Sequence, residues 1–196
     1  MQDQLIAYFS AIMPLTAEEI AGIRESMCIR TFKKGTVLLK EGQIAKECYF
    51  VLKGCVRQYY VVEGEEKTSN FFTENQWVVS VNSFMNKTPA NHYFDCTEET
   101  TLVIGTEQKE NDLYSQFPKF EKLARIALEK GFGEQQAIVA TRVTDSPEQR
   151  YLQLLTQQPA LVQRVPQYQL ASYLGIKPES LSRIRKRIAL KAKAEQ

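Results

Sequence analysis

The chain has 196 residues, 43% of them hydrophobic and 24% charged, a balance that suits one large or two small globular domains. No apolar run approaches the roughly 18 residues a membrane helix requires. The opening "MQDQLIAYFSAIM" lacks the basic-then-apolar order of a signal peptide, so the expected location is the cytoplasm.

The net charge of +2 hides a split. From Asp145 onward nine Lys/Arg stand against four acids, which makes that segment +5 and leaves −3 for residues 1–144. An acidic body with a basic end suits a polyanionic partner. Cys28, Cys48, Cys55 and Cys96 form no C-x-x-C pair, so buried, reduced thiols are expected, although Cys48 and Cys55 flank one hairpin where a redox pair is conceivable. The single histidine, His92, cannot supply a His-rich metal centre and reads as structural. No metal site and no cofactor are expected.

Residues 3–13 and 16–27 read as two short helices, the second opened by a capping box from Thr16 to Glu19. From about Arg30 the period falls to two. "TFKKGTVLLKEG", "CYFVLKG", "CVRQYYVV", "KTSNFFTENQWVV" and "HYFDCTEETTLVIG" are short strands separated by glycine and polar turns, with "EGEE" a hairpin-like turn. They predict a β-roll or sandwich. Helical patterning resumes near Glu107. A long helix follows Pro118, with Leu123, Ile126, Ala127, Ala137, Ile138 and Thr141 on its apolar side; it either packs on the roll or, the preferred reading, pairs with a second copy of itself. Asp145-Ser146-Pro147 starts another helix, which ends before Pro159. The expected domains are a sensory roll with flanking helices over 1–117, a dimerisation helix and hinge over 118–144, and a DNA-binding domain over 145–196.

The stretch from Gln167 to Ile188 fits a helix-turn-helix. Leu170, Leu174, Ile176, Leu181 and Ile184 fall on its core positions, and Ala171 falls where the helices cross closely. Gly175 occupies the turn and Pro178 the first position of the second helix. Glu179, Ser180, Arg183 and Arg187 then face outward, with Lys177 and Lys186 beside them. Arginine can bond guanine in a bidentate fashion and glutamate can accept from cytosine, while lysines neutralise phosphates. Lys177, Glu179, Ser180, Arg183, Lys186 and Arg187 are therefore the candidate DNA contacts.

"FKKGTVLLKEGQIAKECYFVLKGCVRQYY", "SPEQRYLQLL" and "GIKPESLSRIRKRI" together resemble the cyclic-AMP receptor/fumarate-nitrate regulator (Crp/Fnr) family over nearly the whole chain. The resemblance implies an α+β architecture: a cyclic-nucleotide-binding-like roll, a long dimerisation helix and a C-terminal helix-turn-helix. It also implies a homodimer on a palindromic promoter site. Two departures stand out. The family's Gly-Glu pair for ribose and Arg-Ser/Thr pair for the cyclic phosphate are matched here by Val79-Ser80 and Ala90-Asn91, so tight cyclic-AMP binding in the usual way is not expected. Only "ALKAKAEQ" follows Ile188, where the family has a β-hairpin wing. An effector pocket, if there is one, is expected inside the roll near Trp77, Val79, Ser80, Asn82, Ser83 and Phe84, although Trp77 and Phe84 read first as core. The rival reading is a small-ligand sensor with only non-specific polyanion association. An enzyme ranks third, since no nucleophile–base pair is visible.

Overall fold

The computed structural model describes residues 2–194, with side chains between 3 and 191. The chain forms two compact units, one of residues 1–58 and 71–136 and the other of residues 59–70 and 137–196.

The first unit opens with α1 (Gln2–Ile12) and α2 (Ala17–Ser26). The capping box of α2 is complete: Glu19 N–H donates to Thr16 Oγ1 at 3.2 Å, and Thr16 N–H donates to Glu19 Oε2 at 2.7 Å. The strands are β1 (Cys28–Phe32), β2 (Val37–Leu39), β3 (Glu47–Lys53), β4 (Val56–Val62), β5 (Glu65–Phe72), β6 (Trp77–Val78), β7 (Tyr93–Cys96) and β8 (Thr100–Thr106). They make two four-stranded sheets among the described residues, in the orders β1-β8-β3-β6 and β2-β7-β4-β5. The alternation along β3 explains how the layers stack. Tyr49 and Val51 point between the sheets with Val56, Phe94, Leu102 and Ile104. Phe50 and Leu52 point the other way, onto Leu5, Ile6, Ile23, Phe120 and Leu123 of the surrounding helices. A strand covered on both faces reads as a continuous apolar run, as "CYFVL" does.

A short helix, α3 (Val81–Asn86), follows β6, a segment with no helical expectation from sequence. After β8 come α4 (Glu107–Gln116) and the long α5 (Lys119–Thr144), interrupted by no proline. Leu123 is buried and Ile126, Ala127, Ile138 and Thr141 are partly covered within the single chain. Leu128, Phe132, Val139 and Val143 form a second apolar series that stays exposed, at 54, 65, 57 and 82%. Of the residues named from the sequence, Ala137 is exposed and the others are at least partly covered, while a different apolar set is left open.

The second unit contains the end of α5, then α6 (Pro147–Gln157), α7 (Pro159–Arg164), α8 (Gln167–Tyr173) and α9 (Pro178–Ala194). Ser146 caps α6 and Pro147 is its first residue, as the sequence implied, and Gln149 completes a full capping box. Helix α7 was not foreseen. Tyr151, Leu154, Leu161, Val165, Leu170, Leu174, Leu181 and Ile184 are all buried. The same unit includes the β4–β5 hairpin tip, Tyr59–Asn70. Its two turn residues, Glu63 and Gly64, both have positive φ (54° and 79°), the arrangement of a tight two-residue hairpin turn. No described helix is long and apolar enough to cross a membrane.

Candidate nucleic-acid interface

The α8–turn–α9 unit is built by backbone capping. Gly175 adopts φ +70° just after the α8 C-cap. Gly175 N–H donates to Ser172 O and Ile176 N–H to Ala171 O, each at 3.0 Å. This pair of bonds is the Schellman ending, which turns the chain sharply and satisfies the helix's last carbonyls. Helix α9 then starts on Pro178, with Ser180 and Leu181 N–H donating to Lys177 O. Ala171 is fully buried, as are Leu170, Leu174 and Leu181 at 2% exposure or less. A bulkier residue at 171 would separate the two helices.

At about 100° per residue, burying Leu181 and Ile184 turns the opposite face of α9 to solvent. Glu179, Arg183, Lys186 and Leu190 lie there, all exposed. Arg183, Lys186, Arg187, Leu190 and Lys191 line one open surface. Lys177 is exposed at the turn and Ser180 is half-buried on the shoulder of the helix. Arg187 sits on the same shoulder, ion-paired with Glu148 of α6. The structure thus gathers Lys177, Glu179, Arg183 and Lys186 on accessible surface, while Arg187 is tied to its own domain.

Arg150 was not singled out from the sequence. Its guanidinium donates to Leu174 O at 2.7 Å and to Arg142 O at 3.1 Å, placing a cation on the C-terminal carbonyls of α8 and joining it to the end of α5. An arginine in an amphipathic helix gives no sequence signal of such a role. Nor did Ser172, whose hydroxyl accepts from Thr68 N–H at 2.9 Å and donates to Glu66 O at 3.0 Å.

Residues 29–116 match the family model described as "Cyclic nucleotide-binding domain". Among curated proteins no sequence matches the chain. Similar solved structures include the c-di-GMP-responsive global regulator CLP of Xanthomonas campestris, at 16% identity and TM-score 0.69, covering 90% of this chain and 93% of that one. FixK2 of Bradyrhizobium japonicum matches at 14% identity and TM-score 0.70, covering 85% and 86%. The catabolite activator protein of Thermus thermophilus matches at 17% and 0.56, covering 94% and 88%. The chain carries the Crp/Fnr fold.

Within the roll, the residues expected near an effector are dispersed. Trp77 packs on Phe50 at 5.2 Å and Phe9 at 6.1 Å, in the layer between sheet and helices. Asn82 is exposed and accepts from Asn86. Ser83 is buried, and its hydroxyl accepts from Ala45 N–H at 2.8 Å. Phe84 fills the core between the sheets, and Ser80 is buried just before α3. Ala90 is buried, its N–H bonded to Gln43 O and its carbonyl to Gly42 N–H. Asn91 is exposed, its side-chain oxygen 3.0 Å from His92 Nδ1. Arg57, 3% exposed, makes a bidentate pair with Asp95 at 3.0 and 2.8 Å.

The cysteines are free thiols. Cys48 donates to Glu110 Oε1 at 3.1 Å, and burial, reinforced by that carboxylate, holds its thiol far above the usual range. Burial pushes Cys96 up to about 11. Such thiols stay protonated and weakly nucleophilic. Among the described residues no three His, Cys, Asp or Glu side chains gather as a metal site.

Proposed function

We propose that this chain is a sequence-specific DNA-binding transcription regulator that acts as a homodimer. The observation that carries the reading is the accessible face of α9. Glu179 and Arg183 stand there on a helix whose position is fixed by the Schellman turn and by Ala171 at the crossing. Arg183 would read a guanine edge and Glu179 a cytosine amino group, while Lys177, Lys186 and Lys191 would neutralise phosphates and Ser180 and Arg187 would border the contact. Dimerisation would use Leu128, Phe132, Val139 and Val143, which recur four, seven and four residues apart and so share one exposed face of α5 that could pack against a second copy. Two-fold symmetry then calls for a palindromic site with half-sites about one helical turn apart, roughly 34 Å.

The sensor would not hold a cyclic nucleotide in the usual way. Ala90 and Asn91 stand where the family places an arginine and a hydroxyl, and neither offers the planar donor fork that suits a phosphate. Arg57 already serves Asp95.

The test is selection of duplexes from random DNA by the full chain, with and without cyclic AMP. Enrichment of one palindrome, unchanged by the nucleotide, is expected. Binding without any enriched sequence would instead support the sensor with non-specific polyanion association.

A further inference from the structure

Helix α5 ends at Thr144 and α6 begins at Pro147, so a joint of two residues separates the long helix from the helices that follow it in the second unit. No residue of the end of α5, 137–144, is buried, so apolar packing does not set its angle to α8 and α9. Bonds to main-chain atoms do so instead. Arg150 of α6 donates to Arg142 O at 3.1 Å and to Leu174 O at 2.7 Å, so one guanidinium spans from the end of α5 to the end of α8. Gln153 Nε2 donates to Asp145 Oδ2 at 2.8 Å within the joint itself.

The β4–β5 tip, in the same unit, closes the ring of contacts. Arg142 donates to Ser69 O of the tip and lies 5.6 Å from the Tyr173 ring of α8. Strand β5 is the edge of its sheet, and Ser172 of α8 takes up main-chain groups there. Its hydroxyl accepts from Thr68 N–H at 2.9 Å and donates to Glu66 O at 3.0 Å. The end of α5, the hairpin tip and α8 are thus tied to one another pairwise. Hydrogen bonds weaken steeply as their angle departs from linear, whereas apolar contact has no preferred direction, so ties of this kind fix an orientation.

We propose that Ser172 and Arg150 are positioning residues for DNA: with the β4–β5 tip and Arg142 they fix the angle of the helix-turn-helix to the end of α5, and so set the spacing of half-sites that a dimer accepts. This rests on the DNA-binding reading above. Glu179 and Arg183 read each half-site, and the ties behind them decide how far apart the two half-sites stand. One inserted base pair moves the second half-site by about 3.4 Å and turns it by roughly 35°, a change that two rigidly held units reject.

The test measures affinity of the full chain for the selected palindrome, for the same palindrome with one or two base pairs inserted at its centre, and for an isolated half-site. Wild type should prefer the original spacing. Ser172→Ala should weaken the original palindrome by about two- to tenfold, the weight of the lost hydrogen bonds, leave the half-site unchanged and narrow the gap between spacings. Arg150→Lys, which keeps the charge but lacks the fork that serves two carbonyls, should do the same. Ser172→Thr keeps the hydroxyl and should restore the wild-type preference. In the DNA-free chain, Ser172→Ala should also speed exchange of the Thr68 amide by about tenfold. Unchanged exchange would show that Ser172 does not hold the tip and would overturn the proposal. A freed amide with an unaltered spacing preference overturns it as well, and so does an equal loss on half-site and palindrome, which marks damage to the DNA-facing surface itself. A wild-type chain that enriches no palindrome refutes the regulator reading, and the positioning role falls with it.

Discussion

Gly175 tests whether backbone conformation alone sets the position of α9. It sits at φ +70°, and a Cβ added there would meet nothing within 4 Å. Alanine at 175 therefore costs only the left-handed strain of an L-residue, about 1–2 kcal/mol. In a unit of this size each kcal/mol lowers the transition by about 4–8 °C, so Gly175→Ala should lose roughly 5–15 °C by calorimetry on the full chain. Gly175→Asn should recover most of that loss, because asparagine tolerates the left-handed region. Two other glycines calibrate the argument. At Gly54, φ is +105° and a Cβ would lie 2.6 Å from Thr100 Cα and 2.8 Å from Glu99 O. Strain and overpacking then add, and Gly54→Ala should cost on the order of 3 kcal/mol or more. Gly133 lies inside α5 with open space around it, so Gly133→Ala should stabilise by about 1 kcal/mol. An asparagine at 175 as damaging as alanine would refute the reasoning, since the loss would then come from something other than φ.

The other expected outcomes concern DNA, assembly and pH. Arg183→Ala should relax specificity at one base pair per half-site at a cost of about 1–3 kcal/mol, whereas Lys191→Ala should weaken all sequences alike; uniform loss in both would displace the reading face. Phe132→Glu, at a position 65% exposed in the single chain, should leave the fold intact and abolish the dimer in sedimentation; a persisting dimer would move the seam elsewhere. Burial holds His92 below the ordinary imidazole range, so the folded chain resists a proton that the unfolded chain accepts below about pH 6.5. The stability His92 contributes should therefore be lost as pH falls from there through its depressed folded pKa, and His92→Gln should flatten that part of the denaturation profile.

The helix-turn-helix was legible because local chemistry writes it. A glycine that must be left-handed, a proline that must come first and a fully buried alanine are each specified by residue type at one position, and Gly175, Pro178 and Ala171 occupy those places. The strands were legible through period two, the capping box of α2 through Thr16 and Glu19, and the start of α6 through Ser146 and Pro147; the full capping box of α6, completed by Gln149, was not read. What escaped detection was non-local. Trp77 and Phe84 look alike in a sequence, yet one packs outside the β-roll and the other within it, a difference set by sheet pairing. Helix α5 carries two apolar faces, and periodicity alone does not say which one the chain covers by itself. Ser172 and Arg150 act on main-chain atoms, which have no residue identity to recognise.

The energies of these contacts also indicate which part of the second unit moves. Leu170, Leu174 and Leu181 are nearly or fully buried between α8, α9 and their neighbours, and at about 1.5–3 kcal/mol each they contribute roughly 5–9 kcal/mol to keeping the pair together. The hairpin is held on α8 by two hydrogen bonds of one hydroxyl, together about 1–3 kcal/mol net. A disturbance that reaches this unit therefore releases the hairpin well before it separates the helices. Released hydrogen bonds of that size correspond to about a 5- to 150-fold change in an equilibrium, the usual span of coupling between two sites. Release of the hairpin thus needs no rearrangement of the helix-turn-helix itself. It needs only a ligand, a partner or DNA that binds better when the edge of β5 is free.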